Sequence, residues 1–196
     1  MNTHTIFNPV MIRNVCSKTY LDMFMHLIPS IELWEDEEQI AEEDYDKINL
    51  TKLNLIEHGH YKNPVLAGIA IGLMSQIYDA GGKDYFIPEI HFCGISVKDK
   101  TTKVNLHTDN WDEKKLKVLG ILNSDWDNRQ DGGGFIYEDM SYSLQPMNFL
   151  IFDSRQTHSN DIIFSDKERI AVDFTVTKLW KHQVQKQKVE NYNNGW

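Results

Sequence analysis

Residues 148–177, NFLIFDSRQTHSNDIIFSDKERIAVDFTVT, contain three short β-rich runs separated by turn residues. These runs predict strands at Asn148–Phe152, Thr157–Ile163 and Arg169–Thr177, because β-branched and aromatic residues are enriched in strands and Asp, Ser and Asn favour turns. Upstream runs predict five further strands, at Ile90–Val97, Lys103–His107, Leu116–Leu122, Gly134–Tyr137 and Ser141–Gln145. About eight closely spaced strands favour a β-sandwich or barrel over alternating βαβ units.

The residues before this β-rich region are predicted to be mixed or helical. Ser17 is a good N-cap for a helix over Thr19–Leu27. Asn63, which is followed by a proline, predicts the start of a second helix, and Gly81-Gly82 predict its end. This second helix is apolar almost all round, so we expect it to be well buried against a sheet.

Length and composition indicate one globular domain. The 196 residues fit a helical or mixed N-terminal support (1–84), a β-rich core (85–178) and a C-terminal tail (179–196). The longest apolar run, Val65–Met74, has 10 residues, whereas a membrane helix needs about 20. We also find no secretory signal, and the two cysteines, Cys16 and Cys93, cannot supply a disulfide framework. We therefore expect a soluble, cytoplasmic protein with reduced thiols and no membrane partner.

The net charge of −9 argues against a nucleic-acid partner, because neutralising phosphates requires clustered Lys and Arg residues. The acidic residues are unevenly distributed: nine of the 29 lie between Glu32 and Asp46. Such a run predicts a solvated loop or helix face. Nothing in the sequence fixes the oligomeric state.

Three residues are candidates for a metal site: His107 and Asp109 in NLHTDNW, and His158 in RQTHSN. Residues i and i+2 of a strand point to the same face, so His107 and Asp109 can present an imidazole and a carboxylate side by side. His158 opens another predicted strand that could lie alongside. Two imidazoles and one carboxylate on one face of a metal leave the opposite face open, as in non-heme Fe(II) oxygenases.

Arg169 follows His158 by eleven positions and opens the run RIAVDFTV. A buried guanidinium near a metal is consistent with an anion-binding role, because arginine offers a planar bidentate fork to a carboxylate. Taken alone, an H-x-D triplet is a weak signal, and the residues around it must support it.

The combined pattern is more specific than any of its parts. HTD at 107–109, GGGF at 132–135, NFLIFDSRQTH at 148–158 and ERIAVDFTV at 168–176 resemble the Fe(II)/2-oxoglutarate-dependent dioxygenases, in particular the prolyl 4-hydroxylase-like group. The resemblance covers residues 85–178, about half of the chain. It implies a mainly β fold with flanking helices, the double-stranded β-helix or jelly roll.

The resemblance also implies a site and a reaction. His107, Asp109 and His158 would bind Fe(II) as the catalytic metal, and Arg169 would bind the distal carboxylate of the cosubstrate 2-oxoglutarate, with ascorbate as a further cofactor. The implied reaction hydroxylates a C–H bond and releases succinate and CO₂. The substrate suggested by the group is a peptidyl proline. The alternatives are a free amino acid or other small molecule, or a non-catalytic jelly-roll module in which a metal acts as a structural staple.

Other residues have a functional and a structural interpretation. Asn105 shares the inward parity of His107 and Asp109, so it is a candidate for contact with the cosubstrate or a residue satisfied at a strand edge. Trp111 is a candidate to cover the substrate or a packing anchor. Arg155 could meet an anionic substrate at the rim of the site or be solvated.

The remaining candidates are interpreted as structural. His91, and the pair His58 and His60, are assigned no site. Asp173 shares the parity of Arg169 and is a candidate ion-pair partner for it inside the barrel. Gly132–Gly134 predict a tight turn with positive φ.

Overall fold

The computed structural model describes residues 7–28, 35–39, 48–102, 105–109 and 112–179. These residues form two antiparallel β-sheets with flanking helices, so the predicted mainly β class is confirmed. Among them, no helix combines the length and hydrophobicity that crossing a membrane requires.

The described residues form eleven β-strands and three α-helices. The strands are β1 (Val10–Ile12), β2 (Glu35–Gln39), β3 (Ile48–Glu57), β4 (His60–Tyr61), β5 (Phe86–Lys98), β6 (Lys115–Ile121), β7 (Phe135–Tyr137), β8 (Met140–Tyr142), β9 (Phe149–Phe152), β10 (His158–Asn160) and β11 (Arg169–Lys178). The helices are α1 (Lys18–Leu27), α2 (Pro64–Asp79) and the single turn α3 (Asn128–Asp131).

The larger sheet has the order β1-β9-β6-β11-β5-β3-β2, with β4 paired to β3, and the smaller sheet has the order β10-β7-β8. Strand β11 lies in the middle of the larger sheet, between β5 and β6, and pairs with both of them antiparallel. Beside β10, His107 and His158 form an isolated antiparallel bridge. This bridge brings the segment that carries His107 to the edge of the smaller sheet.

Both predicted helices are present and begin where their caps indicate. The side chain of Ser17 accepts a hydrogen bond from the amide of Tyr20, and that of Asn63 accepts one from the amide of Leu66, each at 3.1 Å. Helix α2 packs on β5 and β3 through six buried residues, Leu66, Ala67, Ala70, Leu73, Met74 and Ile77. Its opposite face is exposed, so the helix is buried on one side only.

The predicted strand Lys103–His107 is wrong where it can be compared. Residues 103 and 104 lie outside the described residues, and residues 105–107 form no strand beyond the single bridge at His107. The reason is a turn directly after β5, in which the Asp99 side chain accepts hydrogen bonds from the amides of Thr101 and Thr102. That turn redirects the chain before it can pair along a neighbouring strand.

The N-terminal third contributes more strand than expected. Residues 35–39 of the acidic run form β2, which pairs with β3, so the predicted loop or helix is wrong there, and the rest of the run lies outside the described residues. Strand β3 alternates apolar and polar residues, with Leu53 and Leu55 buried in the core beneath α2. Strand β1 completes the other edge of the larger sheet by pairing with β9.

Gly120 of β6 allows close packing against its cross-strand neighbour, Phe149 of β9. A Cβ atom at position 120 would lie 2.2 Å from Cε1 of the Phe149 ring, which is fully buried. We expect Gly120→Ala to destabilise the protein by about 1–3 kcal/mol, because the ring must leave its packed position. Thermal denaturation would show this as a melting temperature lower by several degrees, on the order of 2–4 °C per kcal/mol.

Gly68→Ala is the matched control for this prediction. Gly68 lies inside α2, and a Cβ atom there meets nothing within 4 Å. Alanine should stabilise the helix interior by about 0.5–1 kcal/mol. Equal melting temperatures for Gly120→Ala and the unmodified protein would contradict the packing described.

Candidate functional site

A cavity of about 370 Å³ lies between the inner face of the larger sheet and the smaller sheet. Alternate residues of a strand point to the same side, and β11 contributes four of them to the cavity: Arg169, Ala171, Asp173 and Thr175. His158 and Phe135, from the smaller sheet, line the opposite side. The volume is at the lower end of the range for small-molecule sites, about 300–1,000 Å³.

His107, Asp109 and His158 meet in this cavity, as the sequence pattern predicts. The Nε2 atom of His107 is 3.1 Å from Oδ1 of Asp109, and Nε2 of His158 is 3.3 Å from Oδ2 of the same carboxylate. Each residue offers a ligand atom, and these atoms all lie within 4.8 Å of one another. The three side chains can therefore hold one metal ion.

The backbone fixes this arrangement at several points. His107 and His158 exchange two hydrogen bonds between their amides and carbonyls, of 3.0 and 2.9 Å, and the amide of Asp109 donates to the carbonyl of Ser154 at 3.0 Å. In each ring Nδ1 lies close to the carbonyl two residues earlier, that of Asn105 at 2.8 Å and that of Gln156 at 2.9 Å. A proton held at Nδ1 leaves the Nε2 lone pair for a metal.

The local charges favour an ionised carboxylate. Burial alone would raise the pKa of Asp109, but hydrogen bonds from His107 and His158 and the charge of Lys117 hold this pKa well below its usual range. The hydrogen bond to Asp109 in turn raises the pKa of His107. Two imidazoles and one carboxylate at one end of an open cavity fit a transition metal such as Fe(II), whose remaining coordination positions would face the cavity.

Aromatic rings hold His158 in place from the other side. Its ring centroid is 5.0 Å from that of Phe152 and 5.6 Å from that of Phe135, and only 3% of the residue is exposed. His107 lies 4.5 Å from His158, centroid to centroid. The apolar wall therefore limits both water access and ring rotation at one of the three ligands.

Arg169 is fully enclosed at another wall of the cavity. Only 1% of the residue is exposed, and its Nε and Nη2 atoms have no hydrogen-bond partner within the part of the chain that the structure describes. Burial lowers its pKa to about 10, so the guanidinium still carries its charge at neutral pH. Burying a cation without a partner is costly, and an anion bound beside it would offset that cost.

The glycine run leaves room for this arginine. Gly132 and Gly133 have φ values of 77° and 70°, as the predicted tight turn requires. A Cβ atom at Gly133 would lie 3.0 Å from Cδ of Arg169, so a larger residue would press on the arginine stem.

Asp173 lies in the cavity as predicted, but its partner is Lys117 and not Arg169. The Lys117 ammonium is 2.5 Å from Oδ2 of Asp173 and 3.5 Å from Oδ2 of Asp109. Burial opposes the charge of Lys117, yet the two carboxylates outweigh this effect and raise the pKa of Lys117. The lysine thus links the Asp109 carboxylate to Asp173 on a central strand of the larger sheet.

We expect Lys117→Met to destabilise the protein, because Asp173 would keep a largely buried charge without its cation. Removing one partner of a buried pair costs about 3–5 kcal/mol, whereas removing both is far less costly. The double variant Lys117→Met/Asp173→Leu should therefore recover most of the melting temperature. Lys115→Met, on the same strand but at the surface beside Asp112, is the control, and a double variant no more stable than Lys117→Met would contradict the pairing.

The other predicted residues have different surroundings. The Asn105 carbonyl orients the His107 ring. Asn105 itself is not among the described residues that line the cavity. Arg155 is bound to Asp153 at 2.9 and 2.6 Å, so it serves a structural ion pair. His91 is 2.8 Å from the Thr177 hydroxyl, which agrees with its structural interpretation. Trp111 lies outside the described residues.

His58 and His60 flank the exposed turn between β3 and β4, away from the triad. Three cavity lysines were not anticipated from the sequence: Lys52, Lys98 and Lys117. Strand parity could have identified Lys117, because it alternates with buried apolar residues in KLKVLGI.

No protein-family model matches the chain, and no curated protein matches it. Solved structures do resemble it. A prolyl hydroxylase from Trichoplax adhaerens, in complex with a peptide of the hypoxia-inducible factor, is 15% identical with a TM-score of 0.61, over 86% of this chain and 83% of that one. A 2OG-Fe(II) oxygenase family oxidoreductase from Burkholderia pseudomallei is 16% identical with a TM-score of 0.61, over 86% and 84%.

A third similar structure is HygX from Streptomyces hygroscopicus, with nickel and 2-oxoglutarate bound, at 10% identity and a TM-score of 0.58 over 86% of this chain and 82% of that one. At such identities the likeness concerns the fold, and it confirms the predicted jelly roll. The chain therefore has the double-stranded β-helix fold of the prolyl hydroxylases and other 2-oxoglutarate/Fe(II) oxygenases.

Proposed function

We propose that the protein is an Fe(II)- and 2-oxoglutarate-dependent dioxygenase that hydroxylates a C–H bond and releases succinate and CO₂. One observation carries this proposal: a His-Asp-His cluster lies in the same cavity as a buried guanidinium, two of whose nitrogens have no hydrogen-bond partner among the described residues. The cluster fits a metal that must keep open positions, and the guanidinium fits a carboxylate. A cosubstrate with a metal-binding end and a carboxylate end satisfies both.

In this proposal, each part of the cavity has a defined task. His107, Asp109 and His158 hold the iron, which supplies the redox chemistry with O₂. Arg169 binds the distal carboxylate of 2-oxoglutarate and so sets its orientation. Phe135 and Phe152 exclude water beside His158, and Lys117 keeps Asp109 ionised and in place.

For the substrate, we propose a peptide hydroxylated at proline. The support is the likeness in fold to prolyl hydroxylases, one of which is in complex with a peptide. A free amino acid or other small molecule is the alternative. For the location we propose the cytoplasm, where the free thiols of Cys16 and Cys93 would stay reduced.

The non-catalytic alternative, a jelly-roll module stapled by a metal, does not account for Arg169. Structural metal sites usually close their coordination shell with a fourth protein ligand. Within the described residues the cluster has three. A purely structural metal site also does not explain why Arg169 is buried beside it with two nitrogens that have no partner among the described residues.

The first test is an anaerobic titration of the protein with Fe(II) and 2-oxoglutarate, followed by visible absorbance. We expect a weak charge-transfer band that needs both components. His91→Ala removes a histidine outside the cavity and should keep the band. Metal binding without a band would contradict the dioxygenase proposal.

A second test addresses the substrate. Proline-containing peptides and free amino acids would be compared as stimulants of succinate formation from 2-oxoglutarate, with Fe(II), O₂ and ascorbate present. Stimulation by peptides, with a mass increase of one oxygen atom on proline, is the expected result. Stimulation by free amino acids alone would favour the small-molecule alternative.

A further inference from the structure

Lys98 and Arg169 are neighbours on adjacent strands of the larger sheet. They are directly paired residues of β5 and β11, and both side chains line the cavity. Like charges directly opposite on paired strands repel each other and destabilise the pair. An anion bound beside both side chains would relieve this repulsion.

The carboxylates of the cavity are engaged elsewhere. Asp173 is bound to Lys117, and Asp109 lies between the two histidines and Lys117. Across the described ranges, no hydrogen bond or ion pair joins the Lys98 ammonium to an acidic side chain, and two nitrogens of Arg169 have no partner. Among the described residues, these two neighbouring cations therefore have no acidic side chain bound directly to them.

We propose that Lys98 is a second cationic binding residue for the distal carboxylate of 2-oxoglutarate, acting beside Arg169. This inference rests on the proposed function. A carboxylate has two oxygens with about four acceptor positions, so it can bind a guanidinium fork and an ammonium together. An anion bound between the two cations attracts both of them and so offsets their mutual repulsion. A ligand that lacks this carboxylate should not bind more tightly because of Lys98.

A change in protonation gives an independent signature of the contact. The pKa of Lys98 is lowered to about 7, mainly by burial and secondly by the charge of Arg169. Lys52 adds to this effect, whereas Asp109 and Asp173 oppose it. In the free protein Lys98 is thus largely neutral at about pH 8, and a bound carboxylate would raise its pKa, so binding takes up a proton. At about pH 6 the lysine is already charged, and this uptake disappears.

The test compares two ligands on protein loaded with Mn(II), which keeps the metal ligands occupied. 2-Oxoglutarate carries the distal carboxylate, and pyruvate has the same 2-oxo acid group without it. Calorimetric titration of Lys98→Met should show 2-oxoglutarate binding weakened by about tenfold or more and pyruvate binding changed by less than about threefold. Proton uptake at about pH 8, measured in buffers of different ionisation enthalpy, should be lost in the same variant.

Two variants serve as controls. Lys98→Arg keeps the positive charge and should keep most of the affinity, which separates a binding defect from a folding defect. Lys100→Met removes a surface lysine paired with Asp166 and should leave both ligands unaffected. Unchanged 2-oxoglutarate binding in Lys98→Met, or equal weakening of both ligands, would overturn the role of Lys98 while leaving the dioxygenase proposal intact. Absence of 2-oxoglutarate binding by the unmodified protein would overturn both.

Discussion

Replacing Arg169 by methionine is expected to weaken 2-oxoglutarate binding strongly and, at the same time, to raise the melting temperature. Arg169 is 1% exposed and two of its guanidinium nitrogens have no partner among the described residues, so the free protein bears the cost of an uncompensated charge. Methionine keeps much of the apolar stem and removes that charge. Replacing buried charges by apolar residues of similar volume has stabilised proteins by about 1–4 kcal/mol.

The binding loss should be large, because a buried bidentate contact to the distal carboxylate disappears. Losses of about 2–5 kcal/mol are typical when one partner of such a pair is removed, which corresponds to a dissociation constant weaker by about 30-fold to several thousand-fold. Calorimetry with Mn(II)-loaded protein and a thermal scan of the same sample would measure both effects. Stabilisation together with loss of binding identifies Arg169 as a residue retained for function and not for folding.

Arg155→Met is the matched control, and its expected effect is opposite. Arg155 is bound to Asp153, which is 1% exposed and would lose its bidentate partner. The same substitution should therefore lower the melting temperature and leave 2-oxoglutarate binding unchanged. A lower melting temperature for Arg169→Met as well would mean that its guanidinium is stabilised in the free protein.

Asp109→Ala is expected to remove metal binding and, with it, 2-oxoglutarate-dependent succinate formation. Asp109 is the one anionic ligand of the cluster, and its carboxylate also approaches both histidines within 3.3 Å. Its loss leaves the two imidazoles beside the ammonium of Lys117 with no anionic ligand, and this ammonium repels a divalent cation. We expect the dissociation constant for Mn(II) to increase by more than about 100-fold. Loss of a residue that only supports a metal ligand lowers metal affinity by about 10–100-fold, and loss of a direct ligand should cost at least as much.

Asp161→Ala is the control for this prediction, because Asp161 is an exposed aspartate whose side chain accepts a hydrogen bond from the amide of Ile162. It should bind Mn(II) with unchanged affinity. Stoichiometric binding by Asp109→Ala at the affinity of the unmodified protein would place the metal at a different site.

The predicted features that the structure shows depend on local rules. His107 and Asp109 are two residues apart, and the Ser17 and Asn63 caps act within a single turn, so the sequence contains all the relevant geometry. The jelly roll followed from the resemblance of the 85–178 region. Each of these predictions required little knowledge of distant partners.

The parts that were missed depend on partners far away in the chain. Strand β2 is highly acidic, and it forms by pairing with β3. Asp173 pairs with Lys117, 56 residues away, in preference to Arg169 on its own strand. Lys98 ends an ordinary strand, and its importance follows from the register that sets it opposite Arg169. Register between distant strands cannot be read from periodicity.

Strand β1 should reduce the tendency of the protein to aggregate. It covers the free side of β9 through the pairs Val10 with Ile151, Met11 with Leu150 and Ile12 with Phe149, and all four residues of β9 are buried. A chain shortened beyond Ile12 would present an unpaired, apolar strand edge, the type of surface that templates aggregation. The three residues of β1 thus shield this edge of the jelly roll from pairing with other chains.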